Sequence, residues 1–244
     1  MINILMPGDG YLALLEHLHE SLQPETYLEI GVGSGASLAL AKPRTRAVGV
    51  DPAPAIRAPL GPHARVYELE SDEFFSRHYQ LDAFQSARLD LAFIDGLHQF
   101  EQTLNDFANV ERQSHPGTVV LLHDCLPVAR LVAARSRRTG FWCGDVWKAV
   151  TCLREQRPDL DVRVVPAPPS GLAIVTHLDA GSTLFQQRLT EIVSEYRNRV
   201  LDYEYLDFGS LARMAGNGLP NDWRRVCEHT LQHVRTLTST PTRA

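Results

Sequence analysis

The chain has 244 residues, 44% of them hydrophobic and 22% charged, which excludes an intrinsically disordered chain and suits one large domain or one and a half small ones. The net charge of −5 argues against nucleic acid as the main partner. No run of about 18 apolar residues occurs, so the sequence predicts no membrane-spanning helix.

In chain order, residues 9–22 place Leu12, Leu15, Leu18 and Leu22 at helical spacing, with Asp9 as an N-cap. Residues 26–30 read as a short buried strand, Gly31–Gly35 as a glycine-rich turn and 36–41 as a helix. A second strand, 46–50, stops at Asp51-Pro52 and leads into a Pro- and Ala-rich loop over 52–62. A strand over 64–69 and a helix over 71–79 follow. Then come a strand over 89–94 (LDLAFI), an amphipathic helix over 100–111 and a strand over 118–122 (TVVLL). The stretch 125–143 is irregular and carries Arg130, Arg135, Arg137 and Arg138. A helix over 145–157 and strands over 161–165 and 171–175 complete the alternation. Short apolar strands alternating with helices predict a largely parallel sheet covered on both faces.

After residue 177 the pattern changes. Residues 183–205 and 221–237 are amphipathic, and the pattern predicts an α/β domain over 1–177 and a helical extension over 178–244. That extension is read as packing on the sheet or across a homodimer interface, or as a lid. The cysteines Cys125, Cys143, Cys152 and Cys227 show no CxxC spacing, so neither a disulfide framework nor a structural zinc site is expected. No basic segment followed by a long apolar one opens the chain, and the expected location is the cytoplasm.

Chemistry concentrates at the ends of the strands. Gly31-Val32-Gly33-Ser34-Gly35-Ala36 lets the backbone turn tightly and a ligand approach without a Cβ in the way, and the following helix N-terminus favours an anion. Its spacing also satisfies the dinucleotide fingerprint. Glu29, two residues before Gly31, would repel a pyrophosphate but bind an amino group. Asp51, ending the next strand, can accept from ribose hydroxyls, or serve merely as a turn residue. Ribose, ammonium and carboxylate together fit S-adenosylmethionine. Asp95 ends one apolar strand and His123-Asp124 the next. Neighbouring strands lie about 4.8 Å apart, so these side chains can converge in the crevice where open α/β sheets bind ligands.

Glu29–Gly35 resembles motif I of the class I S-adenosylmethionine-dependent methyltransferases. Asp90–Asp124 is similar to a group that includes metal-dependent O-methyltransferases acting on sugars and natural products. The resemblance implies a Rossmann-like α/β fold with a seven-stranded sheet, mostly parallel with one antiparallel edge strand, helices on both faces and a helical C-terminal extension. It places Gly31, Gly33, Gly35, Glu29 and Asp51 on the cofactor, and Ser71-Asp72 on its adenine, although Ser71-Asp72 is equally a good helix start. It also implies a divalent ion, usually magnesium, on Asp95, His123 and Asp124. His123 stands where the group has a carboxylate. Imidazole makes Mn²⁺ or another transition ion more plausible, or leaves His123 to contact the substrate.

His98, three residues after Asp95, can take the acceptor's proton; its bland reading is a helix-start histidine bonded to backbone. The arginines of 125–143 read as a solvated loop or as anion binders, Trp142 as a stacking platform, Trp147 as core and Asp106 as a surface helix residue. The expected activity is methyl transfer to a hydroxyl of a sugar or glycoside. Alternatives are a catechol-type O-methyltransferase, an NAD-dependent oxidoreductase and a non-catalytic binding protein that keeps the fold.

Overall fold

A computed structural model describes residues 10–81, 83–84 and 87–201. The Asp9 cap, residues 221–237 and Cys227 lie outside the described residues. Strands β1 (Thr26–Ile30), β2 (Arg46–Val50), β3 (Ala64–Tyr67), β4 (Leu89–Ile94), β5 (Ser114–His123), β6 (Asp161–Val165) and β7 (Leu172–Thr176) form one sheet in the order β3-β2-β1-β4-β5-β7-β6. All neighbouring pairs are parallel except β5·β7 and β6·β7. The single antiparallel strand is therefore β7. It stands one place in from the edge rather than at the edge, because β6 pairs along its outer side.

Alternation along each strand sends successive side chains to opposite faces. Leu28, Ile30, Ala92, Ile94, Val120 and Leu122 pack with α3 (Phe100–Glu111), α4 (Trp147–Gln156) and α5 (Leu184–Tyr196). Tyr27, Leu91, Phe93, Val119 and Leu121 pack with α1 (Tyr11–Leu22) and a 3-10 turn, Leu38–Leu40. The helix expected over 36–41 is reduced to that turn: the glycine-rich loop takes up the preceding residues, and Leu38 buries fully against the sheet. The remaining helix, α2 (Ser71–Leu81), follows β3.

α5 joins the main core through Phe185, Ile192 and Tyr196, with Phe185 edge-on to Phe107 of α3 at 6.1 Å. The described start of the C-terminal region thus covers the same face as α3 and α4. Trp147 is core, as expected, at 3% exposure. Cys125, Cys143 and Cys152 are free and buried. Among the described residues no helix is long and apolar enough to cross a membrane.

Register fixes the site. Ile30 pairs with Val50 on one side and Ile94 on the other, and Ile94 pairs with Leu122. Four parallel strands therefore end at one level. The residues just past those ends, Gly31, Asp51, Asp95 and His123-Asp124, emerge along one crevice.

Candidate active site

Gly31 turns with φ +87, and a Cβ there would meet the Asp95 carbonyl oxygen at 2.0 Å. Only glycine lets the β1 turn nest against the backbone leaving β4. Asp51 locks the turn from β2: its Oδ2 accepts from the Val32 and Gly33 N–H groups, both at 2.9 Å, and its Oδ1 accepts from Ala53. The expected helix N-terminal anion site is replaced here by a carboxylate already holding those N–H groups.

The turn borders a cavity of about 490 Å³, lined by Ile30–Ser34, Ser37, Asp51, Glu70–Asp72, Asp95–Leu97, Gln102 and Asp106 among others. Five of the lining residues are acidic: Asp51, Glu70, Asp72, Asp95 and Asp106. None of the described lining residues is lysine, arginine or histidine. Such a wall repels a pyrophosphate and attracts a cation.

Glu29 is placed differently from expectation. It is fully buried and does not line the cavity. Tyr27 Oη and Ser37 Oγ both donate to it at 2.6 Å. Its reach to a ligand runs through Ser37, which does line the wall. A side chain on a central strand alternates inward, and the 3-10 turn closes over it. Burial pushes its pKa up to about 8, against the lowering effect of the hydrogen bonds from Ser37 and Tyr27.

At the ends of β4 and β5 four polar side chains meet. His98 Nε2 lies 3.2 Å from Asp95 Oδ1, and His98 Nδ1 lies 3.1 Å from Asp124 Oδ2. His123 Nδ1 lies 3.1 Å from Asp95 Oδ1 and 3.7 Å from Asp124 Oδ2. Both imidazoles thus touch both carboxylates. One ligand atom each from Asp95, His98 and Asp124 lies within 4.8 Å of the others. His123, expected as a ligand with Asp95 and Asp124, is in the cluster, but the group with ligand atoms this close is Asp95, His98 and Asp124, so His98 stands inside the cluster rather than beside it. His98 is the more accessible imidazole, its side chain 23% exposed against 7% for His123.

Burial opposes protonation of His98, but the hydrogen bond to Asp95 and the charges of Asp124 and Asp95 outweigh it and raise its pKa. For His123, burial is likewise overcome by the charge and hydrogen bond of Asp95. Burial would raise the Asp95 pKa, yet His123 and His98 hold it below the usual carboxylate value.

The backbone is strained at this point: His98 and Asp124 both have φ +57. Left-handed conformations in residues other than glycine cost energy and cluster at functional sites. A clamp holds the His98 turn. Asp145 N–H donates to the His98 carbonyl at 3.2 Å, and Asp145 Oδ1 accepts from Phe100 N–H at the start of α3. A Cβ on Gly144 would lie 1.8 Å from the His98 carbonyl oxygen. Trp142 stacks on the His98 ring at 5.3 Å and 26°, so the expected platform for a substrate has one face on His98.

Three lining residues are missed by sequence reading. Tyr11 of α1 packs on His123 with centroids 4.3 Å apart, and burial with the charges of Asp95, Glu29 and Asp124 pushes its pKa up to about 12. Gln102 and Asp106 face the cavity from α3. Asp106, expected at the surface, is 1% exposed; α2 and the Asp95-Gly96 turn cover the helix face it occupies. Gln102 and Asp106 lie four residues apart, on one helical face. The loop arginines are partly committed: Arg135 pairs with Glu101 and Asp145, and Arg137 donates to the Gly140 carbonyl.

Residues 28–125 match a family described as a methyltransferase domain. Among solved structures, the chain is similar to cofactor-bound Rv0187 from MTB, with 18% identity and a TM-score of 0.54. It is also similar to the O-methyltransferase TomG from Streptomyces achromogenes, involved in tomaymycin synthesis and solved in complex with SAM, with 16% identity and a TM-score of 0.52. An O-methyltransferase from Bacillus cereus in complex with SAH gives 15% and 0.50. Each comparison covers 69% of this chain and 80% of the other, and at these identities the likeness shows a shared fold. No curated protein matches the chain.

Proposed function

We propose that residues 28–125, which match a methyltransferase-domain family, act as a class I S-adenosylmethionine-dependent methyltransferase, and that the protein transfers a methyl group to a hydroxyl oxygen of a sugar or glycoside, with a divalent cation beside the acceptor. The observation that carries this reading is the meeting of Asp95, His98, His123 and Asp124 at the edge of a cavity whose charged lining residues are all acidic.

The cavity suits a cationic nucleoside. The carboxyl wall favours a sulfonium and an ammonium over a dinucleotide's pyrophosphate, which counts against the oxidoreductase alternative. Asp51 already accepts two N–H groups from the Gly31–Gly35 turn and is the group to receive ribose hydroxyls. Gly31 and Gly33 border the cavity without side chains, whereas Gly35, expected on the cofactor, is not on the cavity wall and faces Ile56 and Leu60. Ser71 and Asp72 border the same cavity and take the adenine. Glu29 acts through Ser37.

Methyl transfer is a displacement in which the acceptor oxygen attacks the methyl carbon while the carbon–sulfur bond breaks and sulfur keeps the electron pair. The hydroxyl proton must leave. His98 receives it, since it is the more exposed imidazole of the cluster, and Asp95 and Asp124 stabilise the resulting imidazolium. Two carboxylates flanked by imidazoles fit a divalent cation of borderline softness, Mn²⁺ more readily than Mg²⁺. Asp95, Asp124 and His123 would hold it. When bound, such an ion lowers the pKa of the acceptor hydroxyl. The spacing of ligand atoms favours a second reading in which His98 replaces His123 as the third ligand.

A planar catechol-type acceptor is the alternative substrate, favoured by Leu97, 58% exposed, and by Trp142 beside His98. The test is an acceptor screen with radiolabelled cofactor, run with EDTA and then with Mg²⁺ or Mn²⁺ restored. Label on a sugar hydroxyl, abolished by chelation and recovered with the ion, is the expected result. Label on catechols alone selects the alternative acceptor. Binding of NADH without binding of S-adenosylhomocysteine overturns the proposal.

A further inference from the structure

Helix α3 brings a second set of polar groups to the cavity. Gln102 Nε2 donates to Ser71 Oγ at 3.1 Å, to Asp72 Oδ1 at 2.9 Å and to Asp106 Oδ1 at 3.1 Å. Asn105 Nδ2 adds a bond to Asp72 Oδ1 at 2.7 Å. The carboxamide of Gln102 has two hydrogens for three acceptors, so it has none to spare for a ligand. Asp72 Oδ1 accepts from both carboxamides. Asp106 is almost fully buried, yet it lies on the cavity wall.

The groups facing Asp106 are acidic or neutral: Glu70, Ser71 and Asp72 at the start of α2, Gln102 on its own helix, and the Asp95-Gly96 turn. A Cβ on Gly96 would stand 3.8 Å from Asp106 Oδ2. Burial raises the Asp106 pKa to about 7; hydrogen bonds from Ser71 and Gln102 oppose this, and the charge of Asp72 adds to it. A second ionised carboxyl so close to Asp72, with no cation among the described lining residues, is the costlier arrangement.

We propose that Asp106 donates a carboxyl O–H to a ring nitrogen of the cofactor's adenine, beside Asp72, which accepts from the exocyclic amine. This rests on the S-adenosylmethionine reading above and adds to it the group that reads the base. The chemistry divides cleanly. Adenine offers a donor, its amine, flanked by two acceptors, the ring nitrogens at positions 1 and 7. An ionised carboxylate satisfies only the amine. A ring nitrogen needs a hydrogen, and in this cluster the donors of Gln102 are already engaged. A buried carboxylic acid supplies one. Its other oxygen stays with Gln102, which fixes the direction of the O–H.

Calorimetric binding of S-adenosylhomocysteine and of its 1-deaza and 7-deaza counterparts tests this, using the full chain and its Asp106→Leu, Asp106→Ala and Asp106→Asn variants. Wild type is expected to bind one of the two deaza compounds about tenfold more weakly than the parent, the value of one lost buried hydrogen bond. Asp106→Leu and Asp106→Ala bind the parent and that compound alike, and either variant suffices if the other does not fold. Asp106→Asn, which keeps an N–H in the same place, retains the discrimination. Equal binding of all three compounds by wild type, or full discrimination surviving in the two truncations, overturns the proposal while leaving the cofactor reading intact. Failure of wild type to bind S-adenosylhomocysteine at all overturns both.

Discussion

Asp124 and His98 hold left-handed backbone geometry at the two sides of one cluster, and that strain is kept because the side chains meet there. Asp124→Asn retains the shape of the side chain and removes its charge. We expect it to lower turnover about a hundredfold or more, with S-adenosylhomocysteine affinity changed less than about threefold, because Asp124 does not line the cavity beside the glycine-rich turn. Single-turnover methyl transfer and calorimetry read the two effects separately. Asp51→Ala should do the reverse. It removes the acceptor for the Val32 and Gly33 N–H groups and, on the proposed function, the partner for the ribose, so affinity for S-adenosylhomocysteine is expected to fall about tenfold or more. A variant with unchanged affinity would place the ribose elsewhere. His98→Ala separates its two roles: as proton acceptor its loss lowers turnover and leaves Mn²⁺ binding unchanged, whereas as a ligand its loss weakens Mn²⁺ binding, measured by electron paramagnetic resonance.

Elements set how accurately those side chains are held. Backbone bonds fix the end of β1 to both neighbours, since Gly31 N–H donates to the Val50 carbonyl of β2 and Asp95 N–H, leaving β4, donates to the Ile30 carbonyl, both at 2.8 Å. Gly31→Ala forces a Cβ against the Asp95 carbonyl. It is expected to lower stability by roughly 2–4 kcal/mol, seen in chemical denaturation, and to lose cofactor binding with it. α3 is positioned from its N-terminal end. Its first N–H is held by Asp145, whose own N–H holds His98, so one buried residue ties the His98 turn to the helix that carries Gln102 and Asp106.

For the whole molecule, two buried groups on the α1 side of the sheet set opposite limits on pH. Glu29 has its pKa raised by burial to about 8. Its contribution to stability is fully present below its ordinary value near 4.5 and is lost as pH rises through about 8, because the unfolded chain releases that proton first. Burial lowers the His19 pKa to about 4, with the charge of Lys42 adding to it, and neither ring nitrogen finds a partner in the structure. Its contribution is present above about 6.5 and lost as pH falls through about 4. Glu29→Gln should therefore gain on wild type by an amount on the order of a few kcal/mol between pH 5 and pH 9, measured by urea denaturation across that range. A difference independent of pH would show that Glu29 is ionised in the fold.

The sequence by itself determined the strands, their parallel alternation with helices, the glycine-rich turn and the acidic strand ends at Asp51, Asp95 and Asp124. Each is a local signal: an apolar run stopping at a charge, or a glycine where the chain must reverse. What only the tertiary structure decided was which polar groups are covered. Glu29 lost its place on the cavity wall because the 3-10 turn closes over it. Asp106 gained one because α2 and the Asp95-Gly96 turn pack on its face of α3, and Tyr11 became a neighbour of His123 because α1 lies across the sheet. His98 entered the acidic cluster through a backbone turn that Gly144 and Asp145 hold from nearly fifty residues away. Periodicity reports the direction a side chain leaves its own element. Whether water or another element waits there is fixed by contacts between distant segments, and these leave no mark at the position itself.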